Sequence, residues 1–288
     1  MRAAYENITA DDGAAIRTVR WEPETEAPSG VIHFVYGFGE HLGMYEPLAR
    51  ILTAHGWAVV VHDQRGHGEM PEMTAAQRAK ALGIIESYAR FIRDITTVRG
   101  LIAGWYPGLP VVLWGLSMGG GIAANYVERV PNPRYDKVIL ESPWLRLATP
   151  MPGAVTALAR VVGTLHPRVA IDAGLNLDAV SRDPEETAKL KADPFYHGRI
   201  SLRLYSQVFR QGEYAIAHAA DIGLPTLVLA GTGDQIVSVD AIRELAAGAR
   251  ANVTLHEFEG GYHCLHYDIN QDEVLAVVYD FLNSPPGD

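Results

Sequence analysis

Residues 110–121 read Pro-Val-Val-Leu-Trp-Gly-Leu-Ser-Met-Gly-Gly-Gly, and this stretch decides the fold. The apolar run from Val111 to Trp114 predicts a buried strand, and apolar residues recur at helical spacing from Ile122 onward. The stretch therefore predicts a strand, a sharp turn and a helix, with Ser117 at the turn. Glycines two residues before and after the serine suit this turn, because side chains there would collide where strand and helix meet.

The Gly-x-Ser-x-Gly pattern around Ser117 is by itself a weak indication of function. Glycine and serine are common enough that the pattern occurs by chance on the order of once in ten chains of this size. A strand before it and a helix after it are the context in which a serine becomes an exposed nucleophile. The alternative is a glycine-rich turn that lets a helix pack close to a sheet, and the rest of the chain decides between the two.

Further apolar runs on both sides of this stretch predict the other strands of one sheet. The predicted strands are 5–9, 15–21, 31–35, 57–62, 137–141, 225–230 and 253–258, and helical stripes lie at 45–55, 86–103 and 239–249. Runs that are apolar throughout are typical of parallel strands covered on both faces. Their alternation with helices predicts an α/β fold with a mostly parallel central sheet flanked by helices.

This alternation stops between residues 144 and 212, where helical pieces occur without a convincing strand. We therefore predict one core, formed by 1–143 and 213–288, that is interrupted by a helical cap at 144–212. The apolar stretch 151–165 in this cap has two compatible interpretations. One is contact with lipid surfaces, and the other is an apolar lining for a site beneath the stretch.

Composition excludes several classes of partner. The chain has 288 residues, of which 48% are hydrophobic and 20% charged, as in ordinary globular proteins. Its net charge of −10 disfavours nucleic acids and anionic membrane surfaces. The single cysteine, Cys264, predicts no intrachain disulfide and hence a reducing, cytoplasmic location. We predict neither a signal peptide nor a transmembrane segment, since no apolar run reaches the roughly 20 residues of a membrane span.

Three residues that follow predicted strands form a candidate catalytic triad. Ser117 and Asp234 each come after a strand, and His263 lies in the loop after the last one. The carboxyl ends of parallel strands meet at one edge of a sheet, so these side chains should converge. A serine hydroxyl needs a base, an imidazole supplies one near neutral pH, and a carboxylate fixes its tautomer.

Each of these residues also has an ordinary structural interpretation. Asp234 could cap a helix that begins near Val237, while His266 and His256 compete with His263 for the role of base. The chain order Ser, Asp, His is nevertheless the order found in strand–turn–helix serine hydrolases. The combined order and placement therefore favour Ser117, Asp234 and His263 as catalytic residues.

An oxyanion hole is predicted from two backbone N–H groups. One belongs to Met118, directly after the serine, and the other to Phe38, in the loop Gly37-Phe38-Gly39 after the strand 31–35. Each such donor typically lowers the barrier by about 3–4 kcal/mol. The alternative for the loop is an ordinary glycine turn. We find no phosphate-cradling loop and no metal-ligand spacing, so neither a cofactor nor a metal is predicted.

Five stretches together resemble the monoacylglycerol lipase/lysophospholipase branch of the α/β-hydrolase superfamily. They are GFGEHLGMY at 37–45, DQRGHG at 63–68, GLSMGG at 115–120, DPFYHG at 193–198 and GYHCLH at 261–266. The resemblance covers roughly residues 10–285, and the first and last stretches are specific to the branch. It implies an α/β-hydrolase fold with a mobile helical cap over an acyl-binding tunnel, and hydrolysis of a fatty-acyl ester of a small alcohol. It also implies the same triad and oxyanion donors.

One position departs from that family, which usually has histidine before the first oxyanion glycine where this chain has Tyr36. We predict a serine esterase that acts on monoacylglycerols through an acyl-enzyme, with the acyl ester as its small-molecule partner and transient lipid contact of the cap. The alternatives are a lysophospholipase, a broad carboxylesterase, or a non-catalytic α/β-hydrolase that binds a ligand or a partner protein. The last alternative rests on Tyr36.

Overall fold

The computed structural model describes residues 1–285, which form an eight-stranded sheet and a separate two-stranded ladder. The strands are Arg2–Thr9 (β1), Ala15–Glu22 (β2), Gly30–Val35 (β3), Trp57–His62 (β4), Val111–Leu116 (β5), Lys137–Glu141 (β6), Ala170–Asp172 (β7), Arg199–Ser201 (β8), Thr226–Gly231 (β9) and Val253–Phe258 (β10). The large sheet has the order β1-β2-β4-β3-β5-β6-β9-β10. Its first two strands form an antiparallel hairpin. The six strands β4-β3-β5-β6-β9-β10 pair in parallel, as predicted.

Helices connect most of the strands. They are Glu46–Ala54 (α1), Ala75–Ala81 (α2), Ala89–Trp105 (α3), Met118–Arg129 (α4), Gly153–Leu165 (α5), Pro184–Ala192 (α6), Leu202–Ala217 (α7), Val239–Gly248 (α8) and Gln271–Asn283 (α9). Short 3-10 turns lie at Leu42–Tyr45, Leu177–Ala179, Ala219–Asp221 and Leu265–Tyr267. None of the helices within residues 1–285 has both the length and the apolar character to cross a bilayer.

The sheet separates two apolar layers. Along β3, Val31 and Val35 pack into one layer with helices α3, α4 and α8, whereas Ile32 and Phe34 pack into the other with α1 and α9. Successive side chains of a strand point to opposite faces, so a strand covered on both sides is apolar along most of its length. The observed layers confirm this interpretation of the continuous apolar runs and the predicted α/β-hydrolase class.

Strand register places the site. β3 lies between β4 and β5, and Val35 at its end pairs with Gly115 near the end of β5. The loop after β3 and the turn after β5 are therefore neighbours. On the other side, β6 pairs with β9, and β9 pairs with β10, so the segments after these strands reach the same edge.

Between residues 144 and 212 the structure departs from the predicted elements. The ladder of β7 and β8 was not expected, since three-residue strands leave no readable alternation. Residues 199–201 form β8, and α7 follows directly, beginning at Leu202 and continuing to Ala217. The boundary predicted at residue 212 thus falls inside α7, and the division into core and cap stays a prediction.

Candidate active site

Ser117 occupies the sharp turn between β5 and α4 in a strained conformation. Its backbone angles are φ 53° and ψ −116°, a region that non-glycine residues rarely adopt. A Cβ placed on Gly115 would lie 2.4 Å from the Gly119 oxygen, and one on Gly119 would lie 2.0 Å from the Val35 oxygen. Both glycines are therefore required sterically, as the sequence pattern indicated. The turn is held because Ser117 N donates to the Glu141 carbonyl at 2.9 Å.

Asp234 and His263 are in direct contact although they follow different strands. The Nδ1–H of His263 donates to Asp234 Oδ2 at 2.7 Å, and both side chains are buried. Asp234 Oδ1 also accepts from the N–H groups of Ile236 and Val237 at 2.7 and 3.0 Å. The aspartate therefore organises the turn after β9 and holds the imidazole at the same time. The helix-cap interpretation is wrong, because α8 begins at Val239 and its N-cap is Ser238, whose hydroxyl accepts from the Ala241 N–H.

The competing histidines lie elsewhere. His266 is fully buried and its Nδ1 contacts Glu141 Oε1 at 2.8 Å. His256 lies on β10, and its ring centroid is 4.6 Å from that of Phe258. Among these three histidines, His263 alone lines the cavity that contains Ser117.

One cavity brings the predicted site residues together. Ser117, His263 and Phe38 line it with Gly37 and Glu40, and the rest of its wall is mostly apolar, formed by Trp144, Leu147, Leu175, Val180, Leu190, Tyr196, Ile236 and Cys264. Within residues 1–285, no hydrogen bond joins the hydroxyl of Ser117 to the ring of His263. Catalytic contacts of this kind are often loose before substrate binds and tighten afterwards. An apolar wall around a nucleophile and a base suits an acyl chain with one reactive carbonyl.

The two predicted oxyanion donors lie beside the serine. Within residues 1–285, the N–H of Phe38 donates to no protein acceptor. Met118 is the first residue of α4, where N–H groups have no acceptor inside the helix and the helix end carries partial positive charge. A Cβ on Gly37 would lie 3.3 Å from Ser117 Cβ, so the loop after β3 closely approaches the nucleophile.

Electrostatics favour a basic His263. Burial is the largest single influence and lowers the pKa of the imidazole. The charge and hydrogen bond of Asp234, with smaller contributions from the charges of Glu40 and Glu141, oppose burial and raise the pKa of His263 above its ordinary value overall. The carboxylate thus stabilises the imidazolium that forms when the ring takes a proton.

Sequence reasoning missed a second carboxylate at the cavity. Glu40 Oε2 accepts from the Gly37 N–H at 2.6 Å and from the Tyr45 hydroxyl at 2.6 Å. Burial raises the pKa of Glu40, although these two hydrogen bonds act in the opposite direction. Glu40 belongs to the stretch 37–45 that carries the family resemblance, but its place at the cavity depends on contacts with Gly37 and Tyr45 that a local pattern does not encode.

A cluster of three buried side chains has the types of ligand atom that bind metal ions. The ligand atoms of Glu141, Cys264 and His266 all lie within 4.8 Å of one another. The carboxylate of Glu141 already accepts from Trp114 Nε1 at 3.0 Å and contacts His266 Nδ1. The cluster is therefore closed by its own hydrogen bonds. Spacing along the chain did not indicate it, because Glu141 comes from β6 and the other two residues from the segment after β10.

Known proteins resemble this chain over nearly its whole length. A family model described as serine aminopeptidase, S33, matches residues 26–270. The monoacylglycerol lipase of Mycolicibacterium smegmatis is 32% identical over 266 residues, 92% of this chain and 91% of that protein. Phospholipase YtpA of Bacillus subtilis is 27% identical over 263 residues, 91% and 98% of the two chains. The crystal structure of Paleococcus ferrophilus monoacylglycerol lipase matches with a TM-score of 0.79 and 29% identity, over 93% of this chain and 98% of that one.

Proposed function

We propose that this chain, a member of the serine aminopeptidase S33 family in its monoacylglycerol lipase branch, cleaves monoacylglycerols through a Ser117–His263–Asp234 triad. Its family and relatives make it a hydrolase acting on esters. The observation that carries the proposal is the 2.7 Å contact of Asp234 with His263 in a cavity shared with the strained Ser117. A pure ligand binder has no need for this combination of groups.

The proposed reaction proceeds through an acyl-enzyme. Since Nδ1–H of His263 donates to Asp234, its Nε2 is free to take the Ser117 proton as Oγ attacks the ester carbonyl. The N–H groups of Phe38 and Met118 stabilise the resulting oxyanion. Collapse breaks the ester C–O bond, and His263 returns the proton to the departing alcohol. A water molecule, deprotonated by His263, then attacks the acyl-enzyme, and His263 returns that proton to Ser117 Oγ as the acyl C–O bond breaks and the fatty acid leaves.

The chemistry of the cavity favours an uncharged alcohol over a phosphate-bearing one. Among the described residues that line the cavity there is no lysine or arginine, and Glu40 places a carboxyl group there. A phosphate usually requires Arg, Lys or a cluster of N–H donors, and a carboxylate repels it. This supports a glycerol ester over a lysophospholipid, and a broad carboxylesterase remains the second candidate.

An ester panel tests the proposal. We expect turnover of monooleoylglycerol to exceed that of lysophosphatidylcholine, with Ser117→Ala inactive on both and no longer labelled by a fluorophosphonate. Preference for short p-nitrophenyl esters over monoacylglycerols of every length would favour the broad carboxylesterase. Binding of esters without formation of an acyl-enzyme would instead support the non-catalytic alternative.

We also propose that the outer face of α5 contacts a lipid–water interface. Three apolar side chains on this helix are strongly exposed, Leu158 at 63%, Val161 at 56% and Leu165 at 69%. Residues 142–171 contain no Asp or Glu, and the exposed Arg160 and Arg168 form no ion pair within the described chain. An exposed apolar stripe in a segment with unpaired arginines and no acidic residue suits the boundary of acyl chains and anionic headgroups.

A further inference from the structure

Tyr36 stands where the family usually has histidine, and its hydroxyl contacts the segment directly after β4. The side chain is fully buried, and its OH donates to Asp63 Oδ1 at 3.0 Å. The hydroxyl oxygen of Tyr36 also accepts from the Gln64 N–H at 2.7 Å, and the Tyr36 carbonyl accepts from Gln64 Nε2 at 2.5 Å. Three hydrogen bonds thus tie position 36 to the segment after β4.

Asp63 connects both ends of the oxyanion loop, which we define as residues 36–42. Its Oδ1 accepts from the Leu42 N–H at 2.9 Å as well as from Tyr36. A Cβ on Gly68 would lie 2.4 Å from the Asp63 carboxyl group, so the glycine leaves the space that this group occupies. The two ends of the loop are therefore fixed to one partly buried acceptor.

A second tyrosine holds the inner side of the same loop. The rings of Tyr36 and Tyr45 are nearly parallel, with centroids 6.1 Å apart and an angle of 10° between them. The Tyr45 hydroxyl donates to Glu40, which also binds the Gly37 N–H. Gly37 donates to this carboxylate, whereas the next N–H, that of Phe38, has no acceptor within residues 1–285.

We propose that Tyr36 is a positioning residue for the oxyanion hole, which acts through Asp63 and Gln64 to fix the Phe38 N–H toward the reacting carbonyl. The inference rests on the proposed function. A backbone donor stabilises an oxyanion only if it is already in place when charge develops, since reorganising it during the reaction costs part of the gain. Removing the phenol oxygen should therefore weaken transition-state binding more than substrate binding.

Tyr36→Phe tests this with the ring retained. We expect kcat on monooleoylglycerol to fall by about tenfold to a hundredfold while KM changes by less than about threefold. Affinity for an acyl trifluoromethyl ketone, whose adduct with Ser117 carries an oxyanion, should fall in parallel with kcat/KM. Tyr135→Phe is the matched control, because it removes another buried hydroxyl, 2.6 Å from His33 Nδ1 and outside the cavity. It should keep the kcat of the wild-type protein.

Asp63→Ala, which removes the acceptor shared by Tyr36 and Leu42, supplies a second route if Tyr36→Phe folds poorly, as judged by its melting temperature, and it should lower kcat in the same range. If Tyr36 acts through Asp63, the double variant should lose about as much kcat as the more severe single variant. Wild-type kcat and ketone affinity in Tyr36→Phe, or additive losses in the double variant, would overturn the inference alone. A wild-type protein that neither hydrolyses esters nor binds the ketone would overturn the proposed function as well.

Discussion

At the scale of single residues, Ser117 combines a chemical requirement with a conformational cost. The turn holds a serine at a positive φ, which is unfavourable by about 1–3 kcal/mol for a residue with a Cβ. Gly115 and Gly119 remove the clashes around it but leave the strain on Ser117 itself. Strain that the surrounding structure maintains at one residue is typical of a site where position matters more than stability.

Replacing Ser117 separates these two properties. We expect both Ser117→Ala and Ser117→Gly to lose about 10⁴-fold or more of kcat, because neither has a nucleophile. Glycine adopts positive φ without cost, so Ser117→Gly should be more stable than Ser117→Ala by about 1 kcal/mol. Esterase assays and urea unfolding of both variants measure the two effects. Equal stability of the variants would contradict the assignment of strain to this residue.

In the proposed mechanism, the pKa of His263 sets the acid limb of the activity profile. The ring must be neutral to accept the Ser117 proton, and its pKa is raised, so kcat/KM should fall as pH decreases through a value above the ordinary histidine pKa of about 6.5. Asp234→Asn removes the opposing charge and leaves burial, which should move the acid limb to lower pH and reduce kcat by about 10⁴-fold. pH–rate profiles on a neutral ester measure both. An acid limb of the wild-type protein below 6.5 would contradict the expectation.

The sequence was informative for residues whose place depends on the strand before them. Ser117, Asp234 and His263 each follow a strand, so the topology of a parallel sheet was enough to predict that they converge. Glu40 and Tyr36 depend instead on side-chain contacts with Tyr45 and Asp63, which no local pattern encodes. The pairing of His266 with Glu141 was invisible for the same reason.

At the scale of elements, strands with two covered faces were the easiest to predict. Those from β3 to β6, and also β9, are buried at every position, so their residues are mostly apolar and each strand was readable as an apolar run. The segment between β6 and β9 lacks this double coverage. Its α5 exposes one apolar face and β7 is short and exposed, so neither period nor polarity marked its elements clearly.

The exposed face of α5 should determine binding to lipid surfaces. We expect the double variant Leu158→Glu/Leu165→Glu to reduce co-sedimentation with phosphatidylcholine/phosphatidylglycerol vesicles by about tenfold or more, because it removes apolar contact and adds charge. Turnover of a soluble p-nitrophenyl ester should stay unchanged. Ile269→Glu is the matched control, since Ile269 is 64% exposed but lies after β10. An equal loss of vesicle binding in this control would contradict a specific role of α5.

At the scale of the whole molecule, charge is unevenly distributed. The chain carries −10 overall, which argued against anionic membranes, yet residues 142–171 contain three arginines and no acidic residue. Of these, Arg146 is engaged by Glu213 and Glu244, whereas Arg160 and Arg168 are exposed and form no ion pair within residues 1–285. Net charge therefore describes long-range repulsion but not a local docking face. The cytoplasmic location stays a prediction from cysteine content.

Two buried histidines at the centre of the sheet should make the stability of the fold depend on pH in the acid range. His33 on β3 contacts His62 on β4, with 3.0 Å between Nε2 and Nδ1, and burial lowers the pKa of both rings, that of His62 to about 4. A base with a lowered folded-state pKa binds more protons when unfolded, so stability should fall as pH decreases from about 6.5 toward 4 and stay level above 6.5.

His62→Gln tests this because the amide keeps hydrogen-bonding capacity without titrating. We expect the variant to lose about 1–2 kcal/mol at pH 7, since the amide fills and satisfies the site less well, but to depend less on pH between 7 and 5 than the wild-type protein. The free energy of unfolding in urea at these two pH values measures the difference, with the exposed His166→Gln as control. Because unfolding of the central sheet also disperses Ser117, Asp234 and His263, irreversible loss of esterase activity at low pH should follow the same curve. Parallel pH dependence of wild type and His62→Gln would show that other groups govern acid unfolding.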